Sequence, residues 1–214
     1  RRLVAEVMRR SPSRCRAWIS AGDRHGPPVE AQQTLEWFQL SPALFRDLDQ
    51  FGTHSPMILY DHPALGVWDA GSTAPGCSLL VPFQDPENVG AVIRCAVAFN
   101  VQRIILLGES ANPFHPKAIR ASAGTVFSAR LFEGPSLALL PDDLPVVALA
   151  TEGRPISGFP FPESFCLLAG MEGPGLSSRW QPTAVAIPMA DGVESLNAAV
   201  ATGIALYEWR RTRI

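Results

Sequence analysis

The chain has 214 residues, 18 lysine plus arginine against 20 aspartate plus glutamate, and a formal net charge of −2. That length holds one full domain or two small ones, and the near-neutral balance excludes a global electrostatic pull on nucleic acid, so any such binding needs a local patch. No apolar run is long enough to cross a bilayer, and no signal-like apolar block follows the leading arginines.

The first segment carries that local patch. Arg1, Arg2, Arg9, Arg10, Arg14, Arg16 and Arg24 stand against only Glu6 and Asp23. Arginine replaces lysine nearly everywhere, Lys117 excepted, so the crowding is either a functional patch or compositional bias on a solvated face. Leu3, Val4, Val7 and Met8 predict a short amphipathic helix, and residues 17–20 a strand. Glu30 to Leu40 reads as a helix through Leu35 and Phe38, and Ser41-Pro42 opens a new one with Ser as cap and Pro at the first position. Residues 57–60 predict a short strand. Together, residues 1–70 predict a small α/β domain, near the lower size at which a domain stands alone.

Residues 71–77 are small, turn-forming side chains with little to pack, which predicts a linker. A second domain, 78–214, then alternates strands with helices. Strands are expected at 78–83, 103–107, 126–131, 146–151, 165–169 and 183–187, and helices at 89–99, 115–121, 136–140 and 195–210. Nearly continuous apolar strands separated by helices predict a mostly parallel sheet covered on both faces. The four cysteines at 15, 77, 95 and 166 show no metal-ligand or redox spacing. They are expected to be small core residues in a reducing, cytoplasmic setting, with no metal bound.

Three polar clusters follow three of these strands. In the first, Asn88 and Gly90 open a helix whose free N–H groups could hold an anion, with Arg94 six residues on. Asn88 and Arg94 share no helix face, and would converge only if Asn88 lay in the loop before the helix. An arginine in so apolar a helix is costly unless paired, so a buried salt bridge is the competing explanation. The second cluster, Gly170-Met171-Glu172-Gly173-Pro174-Gly175, is a glycine-rich turn with one carboxylate. It does not match the dinucleotide fingerprint. The third runs from Ile187-Pro188-Met189 through Asp191-Gly192 to Ser195-Leu196-Asn197. Pro188 should end the strand, Asp191-Gly192 turn the chain and Ser195 open a helix. Taken alone, this is equally an N-capped helix after a turn.

Asn88-x-Gly90-x-x-x-Arg94, Gly170-x-Glu172-Gly173-x-Gly175-Leu176 and Ile187-Pro188-Met189 with Ser195-Leu196-Asn197 together resemble the SpoU (TrmH-like) family of SPOUT-class RNA ribose 2′-O-methyltransferases. Pro116-Lys117-x-x-Arg120-Ala121-Ser122-Ala123-Gly124 resembles a further family feature. The resemblance spans residues 79 to about 207. It implies a C-terminal trefoil knot, which general rules of topology would never suggest, a homodimer with sites built at the subunit interface, and S-adenosylmethionine as cofactor. It implies Gly170, Ile187, Leu196, Met189 and Thr151 as the cofactor-binding residues and Asn88, Arg94, Glu172, Ser195 and Asn197 as the catalytic set. The first segment is loosely similar to the L30e-like RNA-binding domain that many members carry. Asn100 stands where a glycine commonly ends the first-motif helix, and Ala198-Ala199 replaces the more usual Val-Ser.

In such a reaction the cofactor brings an electrophilic methyl on a good leaving group, and the enzyme positions and activates a ribose hydroxyl. A guanidinium keeps its proton in proteins, which makes charge stabilisation of the developing alkoxide a better role for Arg94 than base catalysis. By the resemblance Glu172 would orient Asn88 or hold its loop, and Ser195 and Asn197 would fix Arg94 and the ribose. The expected substrate is RNA, ribosomal rather than transfer RNA because of the extra N-terminal domain. A catalytically silent RNA-binding protein that keeps the fold is the alternative. A serine hydrolase built on Ser195 fails, because no G-x-S-x-G surrounds it.

Overall fold

Strand-forming and helix-forming stretches sort into two units, Arg1–Ala64 and Leu65–Ile214, in a computed structural model that describes residues 2–23, 25–72, 74–170, 178–211 and 213. The first unit contains α1 (Arg2–Arg10), β1 (Cys15–Ala21), β2 (Glu36–Leu40), α2 (Pro42–Leu48) and β3 (Met57–Tyr60). Its sheet has the order β2-β1-β3, with β1 parallel to β2 and antiparallel to β3. The expected helix over residues 30–40 is replaced by one 3-10 turn, Val29–Ala31, and by β2. Adjacent Trp37 and Phe38 favour a pleated surface, and Pro42 biases the chain just before it away from helix. Helix α2 does start as expected, with the Ser41 side chain accepting from Leu44 N. Part of the arginine patch is neutralised within the unit: Arg9 and Arg10 pair with Glu6, and Arg16 with Asp61.

The second unit is an α/β fold on an eight-stranded sheet in which every pairing is parallel. In chain order it comprises β4 (Gly66–Val67), β5 (Gly76–Val81), α3 (Pro86–Ala98), β6 (Arg103–Leu106), α4 (Pro116–Ala121), β7 (Leu131–Glu133), β8 (Val146–Ala150), β9 (Arg154–Pro155), β10 (Ser164–Leu168), β11 (Ala184–Ala186) and α5 (Ala198–Arg211). The strand order is β4-β7-β6-β5-β10-β8-β11-β9. The sequence therefore reverses direction across the sheet at β5, and β10 lies between β5 and β8. Residues 65–70 fold with this unit: β4 pairs with β7, and Trp68 is buried.

Alternation along each strand sends side chains into two cores. Leu79, Val81, Ile104, Leu106, Val147, Leu149, Leu167 and Val185 pack beneath α3 and α5. Their neighbours Leu80, Ile105, Val146, Ala148, Cys166 and Leu168 meet Trp68, Leu140 and Trp180 on the other face. Helices thus cover one face and irregular segments the other. Leu79 and Leu80 are fully buried, each stabilising the fold by about 2 kcal/mol.

Two expected elements take other forms. Over residues 126–131 the strand begins only at Leu131, because Thr125 and Ser128 hydroxyls donate to the Ser122 and Thr125 carbonyls and hold a 3-10 turn, Thr125–Phe127. Over residues 136–140 a single 3-10 turn, Leu137–Leu139, is held at its start by the Glu109 carboxylate, which accepts from Ser136 Oγ and Leu137 N. Cys15, Cys77 and Cys166 are buried free thiols and Cys95 is half-buried. Burial pushes the Cys166 thiol up to about 11. Among the described residues no helix is long and apolar enough to cross a membrane, and no cluster could hold a metal ion.

Candidate functional site

Three adjacent strands, β10, β8 and β11, end on one edge of the sheet, and the chain leaving them builds a cleft. Its lining is Leu149, Ala150 and Thr151 after β8, Gly170 after β10, Ile187 and Met189 after β11, and Ser195, Leu196, Ala198 and Ala201 at the entry to α5. The cleft is open to solvent and holds a cavity of about 130 Å³, lined mainly by apolar side chains as small-molecule sites commonly are. A crevice at the carboxyl ends of parallel strands is the general ligand position in open α/β sheets. All five residues expected to bind cofactor, Thr151, Gly170, Ile187, Met189 and Leu196, therefore face one space.

The β11-to-α5 connection explains how so many of them reach it. Pro188 follows the strand, Gly192 adopts φ +84°, and Val193 N closes a turn onto Ala190 O. Left-handed backbone costs least at glycine. The helix starts at Ala198 rather than at residue 195, because Asn197 caps it: its Oδ1 accepts from Ala199 N at 3.0 Å and Val200 N at 3.1 Å. Ser195 and Leu196 thereby precede the helix and line the cleft.

Helix α5 is apolar on three sides. Ala199, Thr202, Ala205, Leu206 and Trp209 are buried in the core. Ala198 and Ala201, three apart and half-buried, open on the cleft. Val200, Ile204 and Tyr207 are exposed to solvent. Sequence reading missed Leu149, Ala150, Ala198 and Ala201. The paired small residues at helical spacing were the available signal, but a core face reads the same way.

Asn88 is joined to this wall by the Asn197 amide, whose Nδ2 donates to Asn88 Oδ1 at 2.9 Å. Two expectations about the first cluster are corrected. Asn88 lies inside α3, whose cap is Asp85, with Oδ1 accepting from Glu87 N. Gly90 serves packing rather than an anion: a Cβ there would overlap the Ala118 carbonyl of α4. Asn100, where a glycine commonly ends the first-motif helix, takes the left-handed φ of +58° just beyond the helix, a conformation asparagine tolerates.

Arg94 is exposed, and among the described residues it has no ion-pair partner, so the buried salt bridge is not formed. It stands six positions after Asn88, which places it about 9 Å along the helix and about 120° around it. Asn88, Asn197, Ser195 and the five cleft residues are brought together, and Arg94 is turned away from Asn88. Glu172, with the rest of residues 171–177, lies outside the described residues.

A model of the SpoU rRNA Methylase family matches residues 78–207. A protein of Syntrophobacter fumaroxidans named ribosomal RNA small subunit methyltransferase G 2 is 51% identical over 98% of this chain and 42% of its own length. The 23S rRNA (uridine(2479)-2′-O)-methyltransferase of Streptomyces viridochromogenes is 35% identical over 60% of this chain and 50% of its own length. The chain thus spans about half the length of the curated relatives it matches. Among solved structures, the SpoU methyltransferase AviRb of Streptomyces viridochromogenes in complex with AdoMet superposes with a TM-score of 0.79 at 28% identity, covering 99% of this chain and 88% of that one.

Proposed function

The chain belongs to the SpoU rRNA methylase family, and from that premise we propose that it transfers a methyl group from S-adenosylmethionine to a ribose 2′-hydroxyl of RNA. The observation that carries the reading is the convergence of Thr151, Gly170, Ile187, Met189 and Leu196 on one cleft. Backbone N–H and C=O groups at three strand ends suit a nucleoside with a zwitterionic tail, and the apolar walls suit its ring. When bound, the cofactor supplies the electrophilic methyl; the chain's own residues bind it, place the ribose and stabilise charge.

Asn88 and Ser195 are the polar groups assigned to that task, Glu172 is assigned to orienting Asn88 or holding the loop, and Arg94 to stabilising the developing alkoxide beside an RNA phosphate. One chain does not bring Arg94 to Asn88. Arg94 is exposed on α3, and Val200, Ile204 and Tyr207 are exposed on α5, the helix packed against α3. A second copy docked on that apolar face would receive Arg94 into its own site, which supports a homodimer with composite sites. The trefoil knot belongs to the same proposal, supported by the insertion of β10 between β5 and β8. Ribosomal RNA is the proposed substrate, supported by the names of the two relatives. Residues 1–64 are assigned to holding RNA, and a cytoplasmic setting is part of the same proposal.

The test is calorimetry with S-adenosylmethionine, then labelled cofactor with total RNA from a strain lacking the gene and mapping of the labelled nucleotide. Ribose label on ribosomal RNA is expected. Label on a base would sink the mechanism, and cofactor binding without transfer would identify a silent RNA-binding protein.

A further inference from the structure

A second cavity lies at the amino ends of β8 and β11, the edge of the sheet opposite to the cofactor cleft. Val146 and Val147 open β8, Ala184 opens β11, and all three are buried, so they form its floor. Half-buried Phe159 and the exposed Pro162 and Pro182 stand around it. The cavity holds about 280 Å³, against about 130 Å³ in the cofactor cleft. Val146 and Ala150, at the two ends of β8, are about 13 Å apart, so an occupant of one site leaves the other free.

Among the described residues one charged side chain lines this apolar space, that of Arg154 on the edge strand β9. Elsewhere in the same unit Arg103, Arg179 and Arg213 donate to backbone carbonyls. Arg154 has no ion-pair partner among the described residues. A charge on an edge strand discourages pairing with other chains, which accounts for the arginine but not for the cavity beside it. We propose that the cavity binds an apolar monocarboxylate, its carboxylate paired with Arg154 and its body held over the strand ends against Phe159. A guanidinium fork matches the two oxygens of a carboxylate. One cation suits one negative charge, whereas the double charge of a phosphate monoester calls for a cluster of cations. An apolar lining with a single orienting charge is the usual composition of a small-molecule site. The proposal stands apart from the methyl-transfer reading and survives or fails without it.

The probe is naphthalene carboxylate, titrated into the full chain while nitrogen-15 spectra are recorded, with neutral naphthalene carboxamide as its uncharged twin. The carboxylate should bind saturably, with a dissociation constant of about 1 mM or below, and shift the backbone signals of Val146, Val147 and Ala184. The carboxamide should bind at least about tenfold more weakly, and Arg154→Gln should weaken the carboxylate by a similar factor while leaving the carboxamide unchanged. Arg154→Lys, which keeps the charge, should hold the carboxylate better than Arg154→Gln. Because Arg154 is exposed, each variant should fold, and an unchanged melting temperature checks this. Saturation with S-adenosylhomocysteine should leave carboxylate binding as it was. No saturable shift at millimolar probe, equal binding by wild type and Arg154→Gln, or shifts confined to the residues of the cofactor cleft would each overturn the proposal.

Discussion

Gly90 of α3 lies directly against the Ala118 carbonyl of α4, with the Ala121 methyl beside it. The two helices meet along this contact, and α4 carries Lys117 to within 3.8 Å of Glu87 on the first turn of α3. Gly90→Ala would normally gain about 1 kcal/mol of helix propensity. Here a Cβ forces the helices apart, at a cost of about 1–3 kcal/mol, so the net effect is destabilising. Urea unfolding should show a lower midpoint at unchanged slope. A midpoint at or above wild type would mean that the contact relaxes freely.

Ala201 should tolerate nothing much larger on the cleft side of α5. Ala201→Leu adds three carbons to a wall of the cleft, and calorimetry with S-adenosylhomocysteine should show at least about a tenfold loss of affinity, as when ligand volume is taken by protein. Val200, one residue earlier, is 52% exposed, and Val200→Leu should bind as wild type. Equal binding by both variants would remove α5 from the cofactor wall.

Glu208 locks the C-terminal end of α5 to the loop after β9. Hydrogen bonds from Arg211, then from Gly158 N, hold its carboxyl down to about 2. The group is depressed in the folded chain, so its stabilisation is complete above the unfolded value of about 4.5 and is lost as pH falls toward 2. Glu208→Gln should lower the melting temperature at pH 7, and the difference from wild type should shrink steadily below pH 4.5. A difference independent of pH would assign the lock to shape rather than charge.

What the sequence made legible follows from burial. The strands β5, β6, β8 and β10 are buried on both faces, and the resulting apolar runs, such as Cys77 to Val81, are visible without any partner in view. β2 is exposed along most of its length, and its mixed residues fit a helix pattern until its pairing with β1 is known. The two-residue strands β4 and β9 leave no pattern at all. In the site, the residue types were legible and their convergence was not, because residues 149–151, 170 and 187–201 meet only through the strand order β10-β8-β11. The packing of Gly90 and the exposure of Arg94 were not legible for one reason: a helix face is defined by its neighbours, here α4 for Gly90 and solvent for Arg94.

Arg94 and Asn88 provide the sharpest test of a composite site. If each site takes Asn88 from one protomer and Arg94 from its partner, Asn88→Ala and Arg94→Ala homodimers should both be nearly inactive. After unfolding and co-refolding of the two variants in equal amounts, half the dimers are mixed. In each mixed dimer, the Arg94→Ala protomer keeps its own Asn88 and receives the intact Arg94 of the other chain, so one site of two is whole. Activity should return to about a quarter of wild type, as two-fold symmetry requires. If Arg94 instead serves its own protomer, every site in the mixture lacks one group and no activity returns. The readout is methyl transfer before and after co-refolding, with size-exclusion chromatography checking that the mixture remains dimeric.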